Sequence, residues 1–124
     1  MKTLPIIALS ALALSACAGG VPPRAFDTAA TEWTGWVKFT GEEFELYADE
    51  DQVLQPFSRP CLSGALPRDL QRQAAGDLSG QEVRVTGTVA PWAASTRTLD
   101  RAGSTITNTC GGSVVVLAET MAPI

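Results

Sequence analysis

Six carboxylates fall within ten positions: Glu42, Glu43, Glu45, Asp49, Glu50 and Asp51, with no basic residue between them. Clustered hard oxygens are the donor set that Ca²⁺ takes, and charge of one sign can also dock a cationic partner. The spacing lacks the D-x-D-x-D-G order of a calcium loop and has no glutamate closing it, so the run reads as the solvated face and tip of a hairpin. Trp33, Trp36, Tyr47 and Trp92 form a second set. Aromatic rings on an outer sheet face can stack on bases or sugars. Trp36 and Tyr47 fall on the expected polar face, where a large ring has least reason to be. Trp33 is expected to pack inside and Trp92 to close the mouth of a barrel. Arg84, Arg97 and Arg101 could hold an anion, but Glu82 and Asp100 sit beside them, so that charge is expected to be paired or solvated.

Catalytic chemistry is poorly supplied. The 124 residues contain no histidine, which excludes Ser-His-Asp and Cys-His catalysis, imidazole metal ligands and a histidine switch. There is no G-x-S-x-G, G-K-[ST], C-x-x-C or H-E-x-x-H. The remaining enzymic route is a carboxylate pair of the glycosidase kind, and nothing marks a particular pair. Nine basic residues against thirteen acidic ones give net −4, which argues against a nucleic-acid partner. No catalytic residue, metal ligand or cofactor is expected.

The elements that would carry these groups follow from periodicity. Glu32 to Thr40 alternates, with Trp33, Gly35, Val37 and Phe39 on one face. A turn at Thr40-Gly41-Glu42 leads to a second strand, Glu43 to Ala48. Phe44, Leu46 and Ala48 face one way, Glu43, Glu45 and Tyr47 the other. Asp49-Glu50-Asp51 ends it, and Pro56 and Pro60 make regular structure unexpected over Gln52 to Pro60. A short third strand is expected around Arg59 to Ser63. Pro67 opens a helix to about Ala75, with Leu66, Leu70 and Ala74 on one face. Gln81 to Trp92 alternates again, with Gly87 marking a bulge and Pro91 ending the pairing. Ala93 to Thr109 is a long polar loop with one apolar bead, Ile106. Ser113 to Ala118 is apolar throughout and should be covered on both faces.

The N-terminal segment has a different character. Met1 to Cys17 has one positive charge, Lys2, and a mostly apolar run from Leu4 to Leu14, too short for a mature membrane span of about 20 residues. It ends in Leu14-Ser15-Ala16-Cys17, which resembles the bacterial lipobox. The resemblance implies that the chain is cut before Cys17, that the Cys17 thiol takes a diacylglyceryl group, and that the new amine is acylated. Two or three acyl chains, each worth about 0.8 kcal/mol per buried CH₂, hold a protein stably on a membrane. The expected organisation is residues 1–16 as signal peptide, 17–31 as lipidated flexible tether and 32–124 as the folded domain. The mature chain carries eight basic and thirteen acidic residues, net −5. Ala18, where an inner-membrane lipoprotein tends to carry Asp, implies the outer membrane. Extended, Ala18 to Ala30 reaches at most about 45 Å.

The order strand, strand, short strand, helix, strand, long loop, strand resembles the OB-fold, a five-stranded Greek-key barrel with a helix between strands three and four. Gly80 to Val89 is similar to the fourth strand of many bacterial OB domains. The alternatives are another small β-barrel or an α+β sandwich. In the OB-fold the third and fifth strands are neighbours, which brings Cys61 and Cys110 within the 4.4–6.8 Å Cα separation of a disulfide. With Cys17 lipidated, two thiols remain, and an exported compartment is oxidising. A Cys61–Cys110 bridge is therefore expected.

Together these readings give a membrane-anchored lipoprotein on the periplasmic side of the outer membrane. Its partners are the lipid bilayer, through acylated Cys17, and an envelope protein, peptide or glycan, the ligand face falling to Trp36, Tyr47 and Trp92. The expected role is a noncatalytic binding or envelope-interaction module. The alternatives are a structural envelope component without a dissociable ligand, and a carboxylate-dependent envelope enzyme.

Overall fold

Alternation builds the first strand of the domain. β1 (Glu32–Thr40) buries Trp33, Gly35 and Val37 and leaves Glu32 and Thr34 exposed. A computed structural model of the chain describes residues 25–124. The expected lipobox Leu14 to Cys17, the expected signal peptide and most of the expected tether lie outside the described residues. Residues 25–31, expected as the tether's end, contribute to the domain: Phe26 and Ala30 pack against the core, and Trp33 Nε1 donates to the Asp27 carbonyl at 2.8 Å.

β1 turns at Gly41 (φ +61°) into β2 (Glu43–Tyr47), antiparallel, with Trp36 opposite Tyr47 and Phe39 opposite Phe44. One turn of helix, α1 (Glu50–Val53), follows where only irregular chain was expected. Gln52 holds it: its amide oxygen accepts from Asp49 N–H and its NH₂ donates to the Pro60 carbonyl. β3 (Leu62–Ala65) starts later than expected and pairs antiparallel with β2. The helix α2 (Arg68–Asp77) begins just after Pro67 and runs two residues beyond the expected Ala75. β4 (Glu82–Pro91) carries a register shift between Thr86 and Gly87, the expected bulge. β7 (Val114–Pro123) is longer than the expected Ser113 to Ala118.

The barrel closes in the order β1-β2-β3-β7-β4, with β4 antiparallel to β1. β3 and β7 run parallel, Gly64 opposite Val116. This is the OB arrangement, with α2 between the third and fourth barrel strands. Closure leaves no open sheet edge in the barrel. Glycines allow it, Gly64 and Gly87 among them. A Cβ on Gly64 would lie 2.6 Å from the Val116 carbonyl oxygen, and one on Gly87 would overlap the Leu117 carbonyl. Trp33, Val37, Phe44, Leu46, Val83 and Val85 fill the interior.

The stretch expected as a plain loop carries a second ribbon. β5 (Leu99–Arg101) and β6 (Ser104–Ile106) pair antiparallel around Ala102-Gly103, both at positive φ. Ile106 is fully buried with Ala65 and Val115, against Trp92, Leu99 and Leu117. This is why β7 is apolar on both faces. Val116 and Ala118 face the barrel interior, while Val115 and Leu117 face the ribbon.

Candidate functional site

The acidic run divides in the fold. Every residue of β2 is buried, Glu43 at 3% and Glu45 at 6% exposure, which corrects the expectation that both lie on a solvated face. A carboxylate is buried only when its lone pairs are matched by donors. For Glu43 the donors are three backbone N–H groups and one hydroxyl. Its Oε1 accepts from Thr107 N–H at 2.8 Å and from the Thr107 hydroxyl. Its Oε2 accepts from Asn108 N–H at 3.1 Å and Thr109 N–H at 3.3 Å. Asn108 sits at φ +61°, the left-handed region that asparagine tolerates, and this turns three successive N–H groups toward one point. Such a concavity is an anion-binding nest. Here the anion is the chain's own Glu43. Asn108 Nδ2 closes the turn on the Gly112 carbonyl at 2.8 Å, and Glu42 Oε1 accepts from Thr105 N–H at 3.1 Å.

Glu45 ties the same loop to the middle of β2. Its Oε2 accepts from the Thr109 hydroxyl at 2.8 Å and its Oε1 from the Tyr47 hydroxyl at 2.9 Å. Arg59 stands 4.0 Å from Glu45 and donates to the Thr109 carbonyl at 2.6 Å. Tyr47 is 1% exposed, so the expectation that it lies on an open face is corrected as well. Burial, then the Glu45 carboxylate, push its phenol up to about 12, with Arg59 opposing.

Beside this cluster Cys61 and Cys110 form a disulfide, with Cα atoms 5.4 Å apart, and Cys110 N–H donates to the Ser63 hydroxyl at 2.9 Å. Glu45, Cys61 and Cys110 bring one oxygen and two sulfurs within 4.8 Å of one another. A metal needs thiolates, and a disulfide has none, so the group does not fit an ion in this oxidation state.

Of the three residues expected on one ligand face, two are brought together and the third is set apart. Trp36 and Tyr47 are cross-strand neighbours, Trp36 half-buried and Tyr47 buried. Trp92 belongs to the cluster beneath the β5–β6 ribbon, and its backbone N–H donates to the Ser113 carbonyl at 2.9 Å. A groove of about 400 Å³ remains on Trp36, lined also by Phe26, Asp27, Trp33, Ala48 and Glu82. The arginines part company too. Arg101 donates through Nε and Nη2 to the Ala118 carbonyl, at 3.0 and 2.8 Å, locking the ribbon to β7. Arg84 faces Glu32 at 3.5 Å on the surface, a pair worth little.

The sequence reading missed the roles of Glu43, Glu45, Arg59 and Asn108. One signal was available: Tyr47 shares a strand face with both glutamates, and a large ring there implies that something covers all three. Comparison with protein-family models, curated proteins and solved structures returned no match.

Proposed function

We propose that the protein is a membrane-anchored bacterial lipoprotein whose barrel is a noncatalytic binding module, reaching from the bilayer to an envelope protein, peptide or glycan. The lipobox residues Leu14 to Cys17 motivate the anchor, and the Cys61–Cys110 bridge fits an oxidising compartment beyond the inner membrane. The observation that carries the binding reading is the groove on Trp36. It offers the half-buried Trp36 indole with Phe26 beside it and the buried Trp33 behind, a surface suited to stacking on a sugar ring or an apolar side chain. Residues 25–30 help to line that groove, so the bound partner would sit where the anchored lead enters the domain. Glu43, Glu45 and the two bridged cysteines are already engaged by their own chain, which leaves them a structural part in this reading.

The experiment follows the full chain in bacteria with an alkyne fatty acid, beside Cys17→Ser and Trp36→Ala. The expected result is membrane partition and labelling that Cys17→Ser abolishes. Crosslinking to an envelope partner should be saturable and lost in Trp36→Ala at unchanged thermal stability. An unlabelled, freely released wild-type chain overturns the anchor. Labelled chain crosslinking only to bulk envelope, equally with and without Trp36, favours the structural-component alternative.

A further inference from the structure

We propose that the cavity enclosed by α2, the β1–β2 tip and β6 is a binding site for a small oxyanion, a carboxylate or a phosphate, gripped by Arg68, Gln71, Arg72 and Ser104. The site is independent of the Trp36 groove and of the anchor, and shares no residue with either.

The helix supplies most of it. Arg68, Gln71, Arg72 and Ala75 follow the i, i+3, i+4, i+7 spacing that puts side chains on one helical stripe, and all four line the cavity. Gly41, Glu42 and Ser104 form the opposite wall around about 290 Å³. Two guanidiniums one turn apart offer planar forks matched to carboxylate and phosphate oxygens. Neither has an ion-pair partner among the described residues.

The buried groups make this a site rather than a charged surface. Gln71 is 4% exposed, and its amide oxygen accepts from Leu66 N–H at 3.0 Å. That bond fixes which way the amide faces and leaves its NH₂ as the free end. The Nε2 atom is buried without a hydrogen-bond partner. Ser104 is 1% exposed, and its hydroxyl is likewise buried and unpartnered. Two orphaned buried donors thus belong to residues that line one cavity, a costly arrangement unless a partner completes them. Both can donate, and both guanidiniums only donate. The missing partner is therefore an acceptor with several oxygens.

Glu42 sets the charge of that partner. Its carboxylate stands on the same wall with one oxygen taken by Thr105 N–H. Two arginines against one glutamate leave a single positive charge, which suits a compact anion and disfavours a polyanion. The same balance explains how a basic pocket persists on a chain of net charge −4.

The test is a ¹⁵N NMR titration of the disulfide-intact protein with sodium acetate and, separately, sodium phosphate, each against chloride at equal ionic strength. The expected result is a saturable shift of the Gln71 side-chain NH₂ pair and of the Arg68 and Arg72 Nε resonances. Saturation with either probe supports the site, and the tighter one assigns the oxyanion as carboxylate or phosphate. Arg72→Gln, at an exposed position, should weaken binding at least tenfold without changing the thermal midpoint. Gln71→Glu should abolish it, with the backbone spectrum reporting whether the fold survives. Linear, non-saturating shifts with both probes, or equal affinity in Arg72→Gln, overturn the proposal.

Discussion

Tyr47 is the chain's single tyrosine, so its ionisation can be followed at 295 nm without interference. Its value of about 12 lies above the ordinary 10, so the folded protein holds the phenolic proton more tightly than the unfolded chain does. The stabilisation that follows is complete below pH 10 and is lost as pH rises from 10 through about 12. Glu45→Gln removes the neighbouring charge and keeps an acceptor, and the midpoint should then move down toward 10. An unchanged midpoint in that variant would assign the whole shift to burial. Glu43 supports a second residue-scale prediction. Glu43→Gln turns one oxygen into a donor that faces backbone N–H groups, so at least one buried donor loses its acceptor. The expected cost is about 2–3 kcal/mol, read from the urea midpoint at unchanged slope.

At the scale of elements, the stretch 105–112 is fastened to β2 and β3 by carboxylates, a serine and a covalent bond, with Ile106 as its main apolar hold. The double variant Cys61→Ser, Cys110→Ser opens a bridge of sequence separation 49 and should lose about 4 kcal/mol in the chain-entropy model. Equal urea midpoints for wild type and double variant would refute that. The barrel elements were readable from the sequence because their signals are local. β1 and β4 alternate with period two, Gly87 marks the bulge, and Pro67 marks the helix start. The Cys61–Cys110 pairing followed from the resemblance to one barrel order. Where reading failed, the cause lay in contacts distant in sequence. Glu43 meets its donors 64 to 66 positions away, and no period in β2 encodes them. β5 and β6 are three residues each, too short for alternation to register. β7 outran its expected end because Glu119 and Thr120 are polar, yet β4 continues beside them to Pro123.

At the scale of the whole molecule, the described residues form a closed barrel with a covered flank. Among them Leu54 and Phe57 are the most exposed large apolar side chains, at 83% and 87%, both in the segment between α1 and β3. The interior needs no bound group to fill it, since Val37, Phe44, Leu46, Val83 and Val85 are wholly buried. The bridge also changes what it means to cut this chain. Arg97 is exposed in the stretch between β4 and β5, whereas the bond after Arg59 is protected from trypsin by Pro60. Cleavage after Arg97 puts Cys61 on one piece and Cys110 on the other. The sulfur link then does the work of the severed peptide bond. The nicked protein should migrate as one species on a non-reducing gel and as two after reduction, with β7 still seated in its place. Linear continuity through that segment is thus dispensable to the folded object, and new termini or an inserted sequence could be placed there.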